Sequence, residues 1–226
     1  MSWNDLFVNM DNTNFFNFSF LPKYGSAFVR GFEYTLLLAV VSVLLAVIPA
    51  LLLAMMRLSK VKPIKWFAGA YIAVFRSTPM LVQLSIIYFG LFHYITLPRT
   101  LLFGFIAVNR FIPGVVALAL NSSAYVAEIF RAGILAVDKG QTEAARSLGL
   151  SGWQSMRLVV LPQAIKNVLP ALATEVVPMG KESSICPGLA MAEIMYAAQT
   201  VSGNSYITLA PFVLAALVYF CINYPA

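Results

Sequence analysis

Five apolar stretches constrain the fold of this chain more than any other feature of its sequence. They run from about Ala27 to Met56, Trp66 to His93, Leu101 to Arg131, Ile165 to Met191 and Tyr206 to Tyr224. A helix needs about 20 apolar residues to cross the hydrocarbon core of a bilayer. Charged residues make up only 11% of the chain, whereas they approach a quarter of a soluble domain. The sequence therefore predicts an all-α, polytopic membrane protein, with one transmembrane domain over residues 1–226 and about five spans.

Positive charge predicts the direction of these spans. Nine Lys and Arg residues lie in or beside two alternate connections, namely Arg57, Lys60, Lys62 and Lys65 in the first, and Arg131, Lys139, Arg146, Arg157 and Lys166 in the second. Connections rich in Lys and Arg stay in the cytoplasm. We therefore expect residues 1–26 outside and the C-terminus in the cytoplasm. The net charge of +6 then reflects contact with anionic lipid, and no nucleic-acid partner is expected.

One long polar insertion, residues 138–162, interrupts the apolar pattern and predicts a cytoplasmic helix–turn–helix. Glu143 to Leu148 are good helix formers and Gly149 can end that helix. Ser151 is a suitable N-cap for a second helix from Trp153 to Val160. An amphipathic hairpin lying on lipid headgroups is the competing interpretation.

The spacing within this insertion resembles the EAA loop of ABC-transporter membrane subunits. Glu143-Ala144-Ala145 is followed after three residues by Gly149, and after nine more by Val159-Val160-Leu161-Pro162, where Pro162 permits a new helix to begin. Several fixed identities at fixed spacing are more specific than a lone short motif. The resemblance implies that this loop contacts an ATPase through Gly140, Glu143, Ala144, Ala145, Gly149, Leu161 and Pro162.

Further motifs are similar to those of permeases for polar amino acids. They are Arg76 to Leu84, Tyr88-Phe89-Gly90, Ala124 to Gly133, and Lys181-Glu182-Ser183-Ser184. The resemblance implies the permease fold of a type I ABC importer in a bacterial inner or plasma membrane, with an amino acid as cargo. It also implies separate ATPase subunits that bind ATP and Mg²⁺, a second permease chain, identical or related, and an external solute-binding protein. Pro187 departs from the family pattern, as does the end at Pro225-Ala226, which suggests a shortened C-terminus.

Polar residues inside the predicted spans are candidates for the substrate path. A charged group near the bilayer centre costs about 2.5–3.5 kcal/mol, so Lys181 and Glu182 should face protein or a water-filled cavity. They point about 100° apart, so each needs a different partner. An ion pair between helices is an alternative role for them. The other candidates for the path are Ser77, Thr78, Gln83, Ser183 and Ser184.

Glu128 and Arg131 differ from these candidates, because their i,i+3 spacing predicts a local ion pair of structural function.

Other functional classes find no support in the sequence. The chain has no G-x-x-x-x-G-K-[ST] motif, so it does not bind ATP through a P-loop. The single histidine, His93, and the separated Cys186 and Cys221 cannot form a zinc site, and no Ser–His–Asp set is present. We expect neither a metal, nor a cofactor of its own, nor enzymatic activity. A passive channel or an ion-driven carrier without ATPase partners is the alternative function.

Overall fold

The protein is described by a computed structural model that covers residues 17–224. Its helices are α1 (Leu21–Leu58), α2 (Lys62–Ser77), α3 (Met80–Ile86), α4 (Val108–Leu135), α5 (Lys139–Ser147), α6 (Gly152–Ser155), α7 (Leu161–Glu182), α8 (Ile194–Ser205) and α9 (Ala210–Asn223). Two π-helical turns follow α3 (Ile87–Leu91) and α6 (Met156–Val160), and a 3₁₀ segment follows α7 (Ser183–Leu189). An antiparallel hairpin pairs β1 (Leu101–Leu102) with β2 (Ile106–Ala107). Most of the predicted outer segment, residues 1–16, lies outside the described residues.

Helices α1 and α4 form the centre of the molecule. Their contact is built from small side chains, because Ala39 and Ala46 of α1 and Ala117 of α4 are fully or almost fully buried. The Ser42 hydroxyl donates to the Val115 carbonyl across this contact at 3.4 Å. Small residues allow helix backbones to approach closely inside a membrane, where packing replaces the hydrophobic effect as the driving force. The opposite face of α1 exposes large apolar side chains, including Leu44 and Ile48, which suits contact with lipid.

The number of spans is only partly visible in the helix lengths. Among residues 17–224, α1 and α4 are each long and apolar enough to cross a membrane, and α2 with α3 would make a third span. Helix α7 has 22 residues but carries charged and polar side chains, and α9 has 14 apolar residues. The count of five spans remains a prediction.

Two predicted spans differ in shape from single continuous helices. The span from Trp66 to His93 is broken after Ser77, and its two halves are bent by 111°. Pro79 explains the break, because a proline lacks a backbone donor and its ring restricts the preceding residue. The span from Leu101 to Arg131 is wrong at its start, because Leu101 lies in the hairpin and the helix begins at Val108.

The C-terminal third also departs from the prediction. The span from Ile165 to Met191 leaves the α-helical path at Ser183, and Ala190 then adopts a left-handed conformation with a φ of 52°. Pro187 lies inside this 3₁₀ segment, so the proline that departs from the family pattern coincides with an irregular backbone. Helix α8, which the apolar pattern does not predict, separates this break from α9.

Candidate functional site

Helix α5 and the turn after it have well-defined ends. The Asp138 carboxylate accepts from the Gly140 backbone N–H at 2.6 Å and caps the start of α5. At the other end Gly149 has a φ of 87°, a left-handed conformation that favours glycine. The Gly149 and Leu150 N–H groups donate to the Arg146 and Ala145 carbonyls, which is how a helix C-terminus satisfies its last carbonyls. The predicted stop at Gly149 is confirmed.

The second helix of the loop also begins as predicted. The Ser151 hydroxyl accepts from the Gln154 N–H at 3.3 Å, and the Gln154 side chain accepts from the Ser151 N–H at 2.8 Å. This reciprocal arrangement is a capping box. A new α-helix, α7, begins at Leu161 beside Pro162 as expected, and the π-helical turn Met156–Val160 joins it to α6 without a gap. Pro162 fits within the first turn of α7, where its missing donor is tolerated.

The residues that the EAA-like spacing singles out are not equally accessible. Gly140, Glu143, Ala144, Gly149 and Pro162 are exposed, Leu161 is half-buried, and Ala145 is buried. The Ala145 methyl group thus packs inward and fixes α5 against the rest of the loop. Two large apolar side chains, Leu148 and Trp153, are 84% and 67% exposed on this otherwise polar element.

Gln83 holds the bend between α2 and α3 together. Its amide nitrogen donates to the Phe75 carbonyl at 2.8 Å and to the Thr78 carbonyl at 2.9 Å. Its amide oxygen accepts from the Asn121 side chain of α4 at 2.9 Å. Both ends of the Gln83 amide are therefore engaged by the protein. Ser77, on the far side of the bend, lines a separate cavity beside Arg76.

Glu128 and Arg131 form an ion pair at the predicted i,i+3 spacing, with 2.7 Å between Arg131 Nη2 and Glu128 Oε2. The Arg57 Nε of α1 lies 3.8 Å from Oε1 of the same carboxylate. Glu143 and Arg146, which share the same spacing on α5, are not among the salt bridges found in residues 17–224.

Lys181 and Glu182 point to different surroundings, as their adjacent positions require. Lys181 is exposed and lines a cavity of about 360 Å³ with Tyr219 and Asn223 of α9. The Glu182 carboxylate is half-buried, and its Oε2 has no hydrogen-bond partner among the described residues. Ser183 is buried and donates to the Gly180 carbonyl at 2.7 Å, while Ser184 is half-buried.

Motif comparison alone overlooks Glu175, a buried carboxylate on the same helix as Lys181 but on a different face. Glu175 is 9% exposed in the middle of α7, and its Oε1 lies 3.5 Å from the Ser122 hydroxyl of α4. Glu175 and Glu182 are seven residues apart, so they share one face of α7. The available signal is an acidic residue within an apolar segment, which by itself marks a functional candidate in a membrane protein.

A second overlooked carboxylate, Glu193, is fully buried at the start of α8. It accepts from the Tyr196 N–H at 2.6 Å and from the Tyr219 hydroxyl of α9 at 2.5 Å. Thr35 of α1 accepts from the neighbouring Ile194 N–H at 3.4 Å. Because both of its oxygens are paired with protein groups, Glu193 ties α9 to α8 rather than facing a passage, and the Thr35 bond joins α1 at the neighbouring residue.

Comparison with known proteins matches residues 46–226 to the family described as binding-protein-dependent transport system inner membrane component. The arginine transport system permease protein ArtQ of Bacillus subtilis is 40% identical over 194 residues, covering 86% of this chain and 84% of ArtQ. A putative glutamine transport system permease protein GlnP of Rickettsia prowazekii is 42% identical, with 83% and 82% covered.

Solved structures show the same relationship. A chain from the crystal structure of an amino acid ABC transporter with histidines superposes with a TM-score of 0.81 at 43% identity, covering 92% of this chain and 93% of that one. The MetNI methionine ABC transporter shares the fold at 18% identity, with a TM-score of 0.67. In such importers ATP and Mg²⁺ act on a separate ATPase subunit, and the permease is not an enzyme. The predicted permease fold is thus confirmed, and the chain belongs to the binding-protein-dependent transport family, as an inner-membrane permease subunit of an ABC importer.

Proposed function

We propose that this chain imports an amino acid, works with a second permease chain, and receives its cargo from an external solute-binding protein. The names of its relatives support the cargo class, since the similar permeases are those of arginine and glutamine systems. The family implies ATPase, permease and binding-protein partners in general. No feature of the described residues favours the alternative of a passive channel or ion-driven carrier.

The geometry of residues 138–162 carries the coupling part of this proposal. Helix α5 is capped at both ends and anchored by Ala145, so it can move as one rigid element. The exposed Gly140, Glu143, Ala144 and Gly149 form the surface that meets the ATPase, and the protruding Leu148 and Trp153 fit a groove on that partner. Leu161 and Pro162 connect this surface to α7.

A continuous helix from this loop into α7 gives the coupling motion a route to the passage. Residues 152–182 are helical throughout, with the π turn Met156–Val160 as the adjustable point. A movement of α5 is then delivered to Glu175 and Glu182, which share one face of α7. Rigid helices that rock between two positions are the usual basis of alternating access.

In this proposal, polar side chains of the central helices line the passage. We assign Glu175, Glu182 and Ser122 to it, with Thr78, Lys181 and Ser184 along its length and Ser183 fixing the local backbone. Carboxylates without a cationic partner are expensive inside a membrane and face a water-filled cavity. Gln83 supports this passage by holding the bend of α2 and α3, because its amide has no free donor for a cargo. Glu128 and Arg131 serve as a structural pair.

The basic connections support an orientation with residues 138–162 in the cytoplasm beside the ATPase. The N-terminus is then outside and the C-terminus in the cytoplasm.

The test is purification of the tagged chain from its native membrane, followed by identification of the co-eluting chains and uptake of labelled amino acids by reconstituted vesicles. We expect an ATPase to co-elute, and uptake of at least one amino acid that requires hydrolysable ATP and the binding protein. Uptake that proceeds at full rate without ATP, or a complex without an ATPase, would contradict the proposal.

A further inference from the structure

A polar cavity of about 480 Å³ lies between α1, α2 and α4, toward the end of the molecule that carries α5. Arg57 of α1, Arg76 and Ser77 of α2, and Tyr125 and Glu128 of α4 contribute side chains to its wall. None of these residues belongs to the passage assigned to Glu175 and Ser122. The cavity and the passage share only helix α4, which contributes side chains to both. The cavity is large enough for a small polyatomic ion or a lipid headgroup.

The described residues do not balance the positive charge of this cavity. Arg131, beside the cavity, forms an ion pair with Glu128. Its Nε and Nη2 lie 2.8 Å and 2.7 Å from Glu128 Oε2. Arg57 Nε is 3.8 Å from Glu128 Oε1, beyond hydrogen-bond distance, and this buried nitrogen has no partner among the described residues. Arg76 rests over the Tyr125 ring at 5.2 Å and has no acidic partner in residues 17–224. Three guanidinium groups thus face one carboxylate, which leaves two positive charges.

The backbone of α2 brings the two unneutralised arginines to one place. Side chains on a helix tilt toward its N-terminus, so Arg76 leans back along α2 toward Gly69. A Cβ atom at Gly69 would come within 3.0 Å of Arg57 Nη1, so the glycine makes room for that guanidinium. The planar donors of guanidinium groups match the oxygens of a phosphate or carboxylate group.

The surroundings of the cavity point to a phosphate group at a membrane surface. Lys62 and Trp66 share the face of α2 that carries Gly69 and Ala73, at helical spacing. Trp66 is 76% exposed. Exposed tryptophan and lysine side chains are enriched at the headgroup level of membranes, and basic clusters there bind anionic lipids.

We propose that this arginine cavity binds the phosphate group of an anionic molecule, supplied by an anionic lipid headgroup or by free phosphate. The phosphate oxygens accept hydrogen bonds from Arg57 and Arg76 and neutralise the charge that Glu128 leaves unpaired. Such a group joins α1, α2 and α4 at the end of the molecule nearest the coupling loop. The proposal does not depend on which amino acid the permease imports.

Binding is tested directly on the assembled, lipid-stripped complex in neutral detergent, by its thermal unfolding midpoint. One arm compares sodium phosphate with sodium chloride at equal ionic strength. The other compares short-chain phosphatidylglycerol with phosphatidylcholine of the same chain length. A rise with phosphatidylglycerol alone supports the proposal with lipid as the source, and a comparable rise with inorganic phosphate supports it with free phosphate as the source. No rise in either arm overturns it.

Variants separate the cavity from general basic charge. Replacing both Arg57 and Arg76 by glutamine should weaken binding of the effective probe by about tenfold or more, whereas Lys60→Gln with Lys166→Gln, a matched loss of two exposed charges, should leave binding unchanged. Gly69→Leu keeps every charge but fills the cavity, and it should weaken binding as well. Glu128→Gln should strengthen binding several-fold, because it removes the competing carboxylate.

Gly69→Leu should weaken binding and Glu128→Gln should strengthen it. These opposite changes test the proposal even if the double arginine variant assembles poorly. Equal losses in the arginine pair and in the lysine pair would show unspecific attraction and overturn the proposal. Unchanged binding in both Gly69→Leu and Glu128→Gln would overturn it too, since neither the space nor the charge of the cavity would then matter.

Discussion

Gly149 shows how a single residue can be required by the backbone rather than by a contact. Its φ of 87° ends α5, and beyond its own chain neighbours no atom lies within 4 Å of the position where a Cβ would stand. Space is therefore not the constraint. A left-handed conformation costs a residue with a Cβ about 1–2 kcal/mol, and more for a β-branched side chain. The direction in which the chain leaves α5 depends on this residue.

Replacing Gly149 by valine should reduce solute-stimulated ATP hydrolysis at least tenfold while the chain still inserts into the membrane. Asparagine tolerates the left-handed region, so Gly149→Asn should retain most of the stimulation. Both rates are measured on reconstituted complexes with matched amounts of permease. Equal rates for the valine and wild-type chains would show that the turn has no part in coupling.

Glu175 is the residue on which the passage depends most. Glu175→Gln preserves the shape of the side chain and removes its charge, so transport per assembled complex should fall at least tenfold while the amount of complex stays near normal. Thr174→Ala, a neighbouring exposed position whose hydroxyl bonds only to the Ala171 carbonyl, is the control. Normal transport by the Glu175 variant would place the passage elsewhere.

Lys181→Met and Glu182→Gln test the two charged residues that the apolar pattern of α7 singles out. We expect each to lower transport more than it lowers complex assembly, because their side chains are not paired with each other and Glu182 Oε2 has no protein partner among the described residues. If transport per complex stays normal in both, these residues support the bundle instead.

At the scale of elements, breaks in helices decide the shape of this permease. Pattern and length predict the apolar segments, because burial in lipid requires long apolar runs that are visible in any sequence. The same signal cannot show that Ser77 to Pro79 bends a span by 111°, since Pro79 is equally compatible with a mild kink. Nor does it predict α8, because Ile194 to Ser205 has only 12 residues, several of them polar, and falls between two predicted spans.

The bend between α2 and α3 is predicted to depend on Gln83. Gln83→Leu removes the bonds from the Gln83 amide to the Phe75 and Thr78 carbonyls and from Asn121, leaving only the 3.4 Å bond between the Asn121 amide and the Phe75 carbonyl. Each buried group left unpaired costs about 1–3 kcal/mol. The thermal unfolding midpoint of the complex should therefore fall clearly. Ser85→Ala removes only a local bond to the Leu81 carbonyl and should leave the midpoint almost unchanged. Equal midpoints for both variants would show that the proline alone sets the bend.

At the scale of the whole molecule, the coupling loop is the part of the site that the sequence predicts best. Helix stops and caps depend on local chemistry, so the residue types at Gly149 and Ser151 are enough to predict them. The polar contacts between helices are not legible in this way. Ser122 and Glu175 are 53 residues apart in the chain, and Glu193 and Tyr219 are 26 residues apart. Only the packing of α4, α7, α8 and α9 brings these groups together.

Orientation is also a property of the whole chain. In a background without Cys186 and Cys221, a cysteine at Ser59 or Ser151 should be labelled by an impermeant reagent only from the cytoplasmic side, and one at Thr13 only from outside. The basis is the nine Lys and Arg residues in two alternate connections. Labelling of Ser151 from outside would reverse the orientation and remove the loop from reach of an ATPase.

The most direct test of the central claim is a site-specific photocrosslink from the exposed face of α5. A photoreactive residue at Ala144, which is exposed, should form an adduct with the ATPase chain in native membranes. The same residue at Leu44, on the lipid-facing side of α1, should form none. If the photoreactive residue at position 144 crosslinks only to lipid in membranes that contain the ATPase, the assignment of residues 138–162 as the coupling loop is contradicted.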